Sequence, residues 1–270
     1  MTNTVLDPET LRAEVRAWAQ EFWDPELTVA QWWQILMEAR WTVSSWPESA
    51  LGRGYSAAFA RIVSDELRAA GAVGGPAGLG LLLAGPTIYT HGTLEQQERY
   101  LTTIVNGQEA WCQLFSEPSA GSDLASLQTK AVRDGDEWVI TGQKVWTSGG
   151  AVADLGMLLA RTDPDAPKHK GISYFALPMD QAGVDVRPLR EMTGRALFSE
   201  VFIDEARVSN DAVIGGLNNG WAVANTTLAF ERAGLGGGGS GAGGAAFPGP
   251  KTGVLNTRVG DLVKSSGRSV

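Results

Sequence analysis

The stretch that most constrains this chain runs from Trp111 to Gly150, WCQLFSEPSAGSDLASLQTKAVRDGDEWVITGQKVWTSGG. A short strand-like run leads into a loop of small residues, Ser116-Glu117-Pro118-Ser119-Ala120-Gly121-Ser122-Asp123. A hairpin follows and ends in Trp146-Thr147-Ser148-Gly149-Gly150. With little side-chain bulk at its tip, the loop lets backbone N–H groups approach a ligand and donate to anionic or carbonyl oxygens. Trp146 and Ser148 offer a flat apolar face and a hydroxyl two residues apart, which suits an aromatic ring with a polar edge. An ordinary β-hairpin with a serine- and glycine-rich loop does not account for both features together.

The chain before this stretch reads as helical. Asp7-Pro8-Glu9 is a helix start: a capping side chain, a proline at the first position and an acid near the positive end of the dipole. Leu11, Val15, Trp18 and Phe22 then fall on one face at helical spacing. Trp32, Trp33, Leu36 and Met37 mark a second helix, and Tyr55–Ala70 a third with Phe59, Ile62, Val63 and Leu67 facing inward. Gly78–His91 is apolar enough for a buried helix, with Gly85-Pro86 placed to kink it. Thr93-Leu94-Glu95-Gln96 resembles a capping box opening another helix towards Val105. The tryptophans of this region are assigned to core packing rather than to a ligand cage.

From about residue 110 the periodicity changes. Trp138-Val139-Ile140 follows the turn residues Asp134-Gly135-Asp136, a hairpin signal. Leu155–Ala160, Gly171–Leu177, Val184–Arg187 and Glu200–Ile203 read as further strands, and their spacing predicts a sandwich or small barrel. Asp163–Lys170 reads as a surface loop. Gly220–Arg232 is predicted helical, Gly236–Gly244 has the composition of a linker, and Phe247-Pro248-Gly249-Pro250 breaks any helix before one resumes over Thr252–Lys264.

Ser116-Glu117-Pro118-x-Ala120-Gly121-Ser122-Asp123 resembles the first flavin-binding motif of the acyl-CoA dehydrogenases. Gly142-Gln143-Lys144-x-Trp146-x-Ser148 resembles the second, at the family's spacing, and His91-Gly92-Thr93 with Glu95-Gln96 matches a family turn. The fold this implies is α+β: an N-terminal helical domain over 1–109, a middle β-domain of sandwich or barrel type over 110–208, and the start of a C-terminal helical domain over 209–270. Family members continue further, so the resemblance describes a chain cut in or after the first C-terminal helix.

The implied reaction is FAD-dependent α,β-dehydrogenation of an acyl-CoA thioester to a 2-enoyl-CoA, with electrons passing to an electron-transferring flavoprotein. By resemblance, Phe115 and Ser116 meet the pyrimidine edge of the flavin. Gly121 and Ser122 approach its ribityl and pyrophosphate region, and Ser122 also touches the thioester ligand. Trp146 packs against the ring, and Ser148 donates towards N5. Gln113 stands where the family commonly has an aromatic residue. An α-proton beside a thioester is weakly acidic, so the reaction needs a polarised carbonyl and a carboxylate base in a desolvated pocket. Glu231, in Leu228-Ala229-Phe230-Glu231-Arg232, resembles the base of those branches that carry it on the first C-terminal helix. Arg232 matches an arginine of the active-site and CoA region. The alternative for Glu231 is a solvated carboxylate or a partner of Arg232. Glu117 and Asp123 are assigned to holding the loop together.

Two further readings stay open: a non-catalytic or half-site subunit of a two-chain acyl-CoA dehydrogenase, and a flavin oxidase or monooxygenase on the same fold. The resemblance also implies a homo- or hetero-oligomer, a tetramer in the family. A net charge of −8 argues against a nucleic-acid surface. The single Cys112 excludes an internal disulfide, and two distant histidines, His91 and His169, leave no metal site. No apolar run is long enough to span a membrane and the N-terminus lacks a signal-peptide pattern, so a cytoplasmic setting is expected.

Overall fold

Asp7 accepts from the Thr10 amide at 3.0 Å and sets Pro8 at the start of α1 (Pro8–Phe22). A full capping box between Thr28 and Gln31 opens α2 (Val29–Glu38), and Ser56 caps α3 (Ala57–Ala69). The computed structural model describes residues 7–236 and 249–267, and these divide into two compact units. The first holds the chain up to Pro76 together with Val105–Gln108 and the segment from Gly253 onward. Its core gathers Leu11, Val15, Trp32, Leu36, Val63 and Leu67 from the three helices. Trp32 is fully buried and its indole N–H donates to the Val73 carbonyl at 2.7 Å, so the large ring enters the core with its one polar atom satisfied.

The helix predicted over Thr252–Lys264 is shorter, α7 (Val259–Ser265), and it is bound into this first unit. Val29 donates to the Thr257 carbonyl and Val259 to the Leu27 carbonyl, both at 2.9 Å. Leu255 and Val259 then join the same core as Leu11 and Trp32. The glycine-rich run lies largely outside the described residues, as do Phe247 and Pro248.

The second unit comprises Ala77–Ile104 and Glu109–Thr252. Here a π-helical turn (Gly80–Ala84) passes into α4 (Gly85–His91). Ala84 and Gly85 are both helical, so the chain runs straight on from one into the other, and the winding changes from π to α at Gly85-Pro86, where the sequence placed a kink. α5 (Leu94–Val105) opens as predicted: the Gln96 amide donates to Thr93 Oγ1 at 3.3 Å, and the Thr93 amide to Gln96 Oε1 at 3.0 Å.

Among the described residues eight strands follow: β1 (Trp111–Leu114), β2 (Lys130–Asp134), β3 (Glu137–Ser148), β4 (Leu155–Arg161), β5 (Ile172–Pro178), β6 (Val184–Leu189), β7 (Phe198–Ser209) and β8 (Val213–Ile214). They form one sheet of order β6-β7-β3-β2-β4-β5-β8, with β1 parallel to β4 off this path. β2 and β4 meet through the single pair Lys130 and Arg161. Trp138 on β3 nevertheless touches Phe175 on β5, ring centroids 5.8 Å apart, so the sheet curls over its own core. α6 (Gly220–Gly236) packs against β5, α4 and the π-helical turn.

One buried charge in the first unit carries a pH signature. Glu66 is almost wholly buried; Arg12 Nη1 reaches its Oε1 at 3.0 Å and Arg16 Nη2 its Oε2 at 2.9 Å. The Arg12 hydrogen bond, with those of Arg16 and both positive charges, holds the Glu66 carboxyl below its ordinary 4.5 against the opposing effect of burial. A carboxyl whose folded pKa is depressed adds stability above its unfolded pKa and loses it as pH falls through the folded value. Glu66→Gln should therefore flatten the fall of the thermal midpoint below about pH 4.5 and leave its slope near neutrality unchanged. An acid limb identical to wild type would show that another group sets it.

Candidate functional site

The loop between β1 and β2 is bound from beneath by a buried ion pair. Lys144, fully buried on β3, donates from Nζ to Glu117 Oε1 at 2.8 Å and to the Phe115 carbonyl at 3.1 Å. Glu117 also accepts from the backbone amides of Gln128 at 2.6 Å and Thr129 at 2.9 Å, so both carboxylate oxygens are used. Burial pulls the Lys144 ammonium down to about 8, with the Glu117 charge opposing, which leaves it protonated at neutral pH. Burial alone would raise the Glu117 carboxyl; the charge and hydrogen bond of Lys144, with the Thr129 and Gln128 contacts, hold it below its ordinary value. Glu117 is thus an anchor of the loop. Asp123 plays the same part at the exposed end, accepting from Lys168 Nζ at 2.8 Å and from Ser126 Oγ at 2.6 Å.

The far end of β3 meets the loop by a distortion of the sheet. The β3–β7 register shifts between Lys144 and Thr147, and the Val145 amide leaves the ladder to donate to the Ser116 carbonyl at 2.9 Å. Trp146 takes φ +61°, a conformation that costs a bulky residue on the order of 1–2 kcal/mol. The bulge turns its ring outward, 62% exposed, with Phe198 edge-on at 5.9 Å. Ser148 follows half-buried at the strand end. Phe115 is buried, Ser116 half-buried, and Gly121 and Ser122 are exposed. Glycine at 121 is not demanded by the fold: its φ is not left-handed, and a Cβ there would meet no atom within 4 Å. Its value lies in the open approach it leaves above the loop.

These residues fit a flavin. A strained, exposed indole beside open loop amides and two hydroxyl-bearing residues supplies a stacking face and polar contacts for a ring edge. The Lys144 and Val145 contacts bring Phe115 and Ser116 against the strand that carries Trp146, with Ser148 two residues further along it; Gly121 and Ser122 lie at the exposed end of the loop.

Glu231 lies on α6, half-buried, and Gln113 Nε2 on β1 donates to its Oε2 at 3.3 Å, at the long end for such a bond. The helix is set by Thr227, whose hydroxyl is 2.8 Å from that of Thr87 on α4, and by Thr226, whose hydroxyl is 2.7 Å from His91 Nε2. Arg232 is exposed. Cys112 beside Gln113 is buried, and burial pushes its thiol up to about 12, so it is inert. Two features escaped the sequence reading: the buried role of Lys144, signalled only by a charge in an otherwise half-apolar strand, and the contact of Gln113 with Glu231.

Known proteins resemble the chain over most of its length. The models for the N-terminal and middle domains of acyl-CoA dehydrogenases match residues 7–108 and 112–206. Acyl-CoA dehydrogenase FadE34 of Mycobacterium tuberculosis is 54% identical over 187 residues, 69% of this chain and 26% of that protein. The Tcur3481-Tcur3483 steroid ACAD superposes with a TM-score of 0.66 at 36% identity, covering 84% of this chain and 62% of that one. The ChsE4-ChsE5 complex from Mycobacterium tuberculosis gives a TM-score of 0.64 at 34% identity, covering 85% and 61%. The chain belongs to the acyl-CoA dehydrogenase family. It spans less than two thirds of the length of each of these relatives.

The ion pair sets a clear test. Lys144→Met leaves a buried carboxylate without its cation, and Glu117→Gln the reverse, so each should cost roughly 3–5 kcal/mol in denaturant unfolding. The double variant should cost less than the sum of the two. Additive losses would mean that the two side chains act separately.

Proposed function

We propose that the chain carries the flavin-binding half of an enzyme that dehydrogenates an acyl-CoA thioester at its α,β bond. The observation that supports this reading most is the bulge at Trp146, fixed to Ser116 by the Val145 hydrogen bond. Phe115, Ser116, Gly121, Ser122, Trp146 and Ser148 would hold FAD, with Ser122 also meeting the thioester ligand and Arg232 the CoA region. FAD, when bound, supplies the acceptor for the hydride that leaves the β-carbon. The work of the protein is then to hold the acyl group, polarise its carbonyl and remove the α-proton. Glu231 is the group we assign to that proton: one carboxylate oxygen accepts it as the C–H electron pair becomes the new double bond and the β-hydride departs. Glu231 is half-buried on α6, where one face of its carboxylate stays within reach of a bound acyl group.

The electrons would leave through an electron-transferring flavoprotein. Among the described residues no helix is long and apolar enough to cross a membrane, and the only cysteine is a free thiol, in keeping with the cytoplasmic setting we propose. A second reading, that the chain is one subunit of a two-chain enzyme and completes its site with a partner, is favoured by the two-chain ChsE4-ChsE5 complex among its structural relatives. A steroid-derived acyl-CoA belongs in the substrate panel because one of those relatives is a steroid ACAD.

Glu231→Gln should lower dye-coupled acyl-CoA turnover roughly 100- to 10,000-fold while FAD content, read by absorbance after desalting, stays at the wild-type level. The comparison is made with the chain alone and with a partner subunit added. Near-normal turnover in the variant would move the base to another residue.

A further inference from the structure

We infer that Gln113 is a positioning residue that orients the Glu231 carboxylate; this rests on Glu231 being the base. The argument begins with the strand. In β1, Cys112 and Leu114 point into the sheet core, and the alternation of a strand places Trp111 and Gln113 on the opposite face. Trp111 is buried there with its ring edge-on to Tyr100 at 5.3 Å. Gln113 is the one half-buried, polar member of an otherwise buried strand. Apolar packing would favour a hydrophobic side chain at such a place, so the amide needs a reason, and its Nε2 contact with Glu231 Oε2 supplies one.

The geometry of α6 makes this contact a defined one. Thr227 lies one helical turn before Glu231 and is locked to Thr87, and Phe230 meets Tyr89 with ring centroids 6.4 Å apart. The rotation of the helix is therefore set before Glu231 is reached, and Gln113 has only to fix the last torsions of the side chain. With Oε2 engaged by the amide, Oε1 is the oxygen left to take a proton.

The choice of an amide matters. A lysine or arginine at 113 would hold the carboxylate equally well but would depress its basicity strongly through its charge. Glutamine donates without a net charge. The other ionisable groups on elements packed against α6 are Tyr89 and His91 on α4 and Tyr174 on β5, with Arg232 next along the helix. Burial raises both phenols and lowers the His91 imidazole, so all three are neutral at pH 7. Among the described residues Gln113 is the hydrogen-bond donor recorded for Glu231.

The test is carboxyl carbon NMR at neutral pH of the full chain labelled at glutamate Cδ, the Glu231 signal being the one lost in Glu231→Gln. Gln113→Met keeps the shape and removes the donor, and should displace the Glu231 signal. In the active enzyme the same variant should lower kcat roughly tenfold with little change in KM. Should the methionine variant fold poorly, Gln113→Glu removes the amide donor in another way and should displace the signal and lower kcat likewise. An unmoved signal, or a moved signal with unchanged kcat, overturns the inference. A moved signal with near-normal turnover in Glu231→Gln overturns instead the assignment of the base.

Discussion

The site depends on the buried pair of Glu117 and Lys144. Taking two charges out of water is expensive, and their attraction repays it only when the geometry is good and the remaining donors and acceptors are used. Here they are: Lys144 also reaches the Phe115 carbonyl, and Glu117 also takes two backbone amides. Such a pair adds little net stability over well-packed apolar residues. Its contribution is to register, because only one arrangement of loop on strand satisfies every group. The loop of small residues has no core of its own, so this pair and the Val145 bond to Ser116 determine where its amides lie.

The bulge at Trp146 is the second half of the same arrangement. A tryptophan with positive φ and an outward ring is unfavourable twice over, by backbone strain and by exposed apolar surface. Its neighbours over-determine it: Lys144 is held on one side, Thr147 is buried on the other, and Phe198 braces the ring. Strain kept in this way is a feature of binding sites, where a pre-set side chain avoids ordering costs when a ligand arrives. α6 brings the remaining piece, since its threonines pair with α4 and set Glu231 against β1.

Much of this was legible in the sequence, and the reason is locality. The caps at Asp7 and at Thr93 with Gln96, the turn before Trp138 and the alternating strands are all set by neighbours within a few residues. The resemblance of the two motifs singled out Ser116, Trp146 and Ser148. What stayed hidden was non-local. The parallel pairing of β1 with β4 and the joining of the sheet through Lys130 and Arg161 depend on partners far along the chain. Gln113 and Glu231 are 118 residues apart, and neither carries a local sign of the other. The positive φ of Trp146 follows from the register shift against β7, which no periodicity encodes. Likewise, nothing within Thr252–Lys264 announces that Leu255 and Val259 enter the core of the first helices.

The most direct measurement is a visible absorption spectrum of the chain after incubation with FAD and desalting, repeated anaerobically with an acyl-CoA. The account predicts a two-peaked flavin spectrum that survives desalting and bleaches with substrate, either by the chain alone or once a partner subunit is supplied. A colourless protein in both states would contradict the assignment of Ser116, Trp146 and Ser148 to a flavin site.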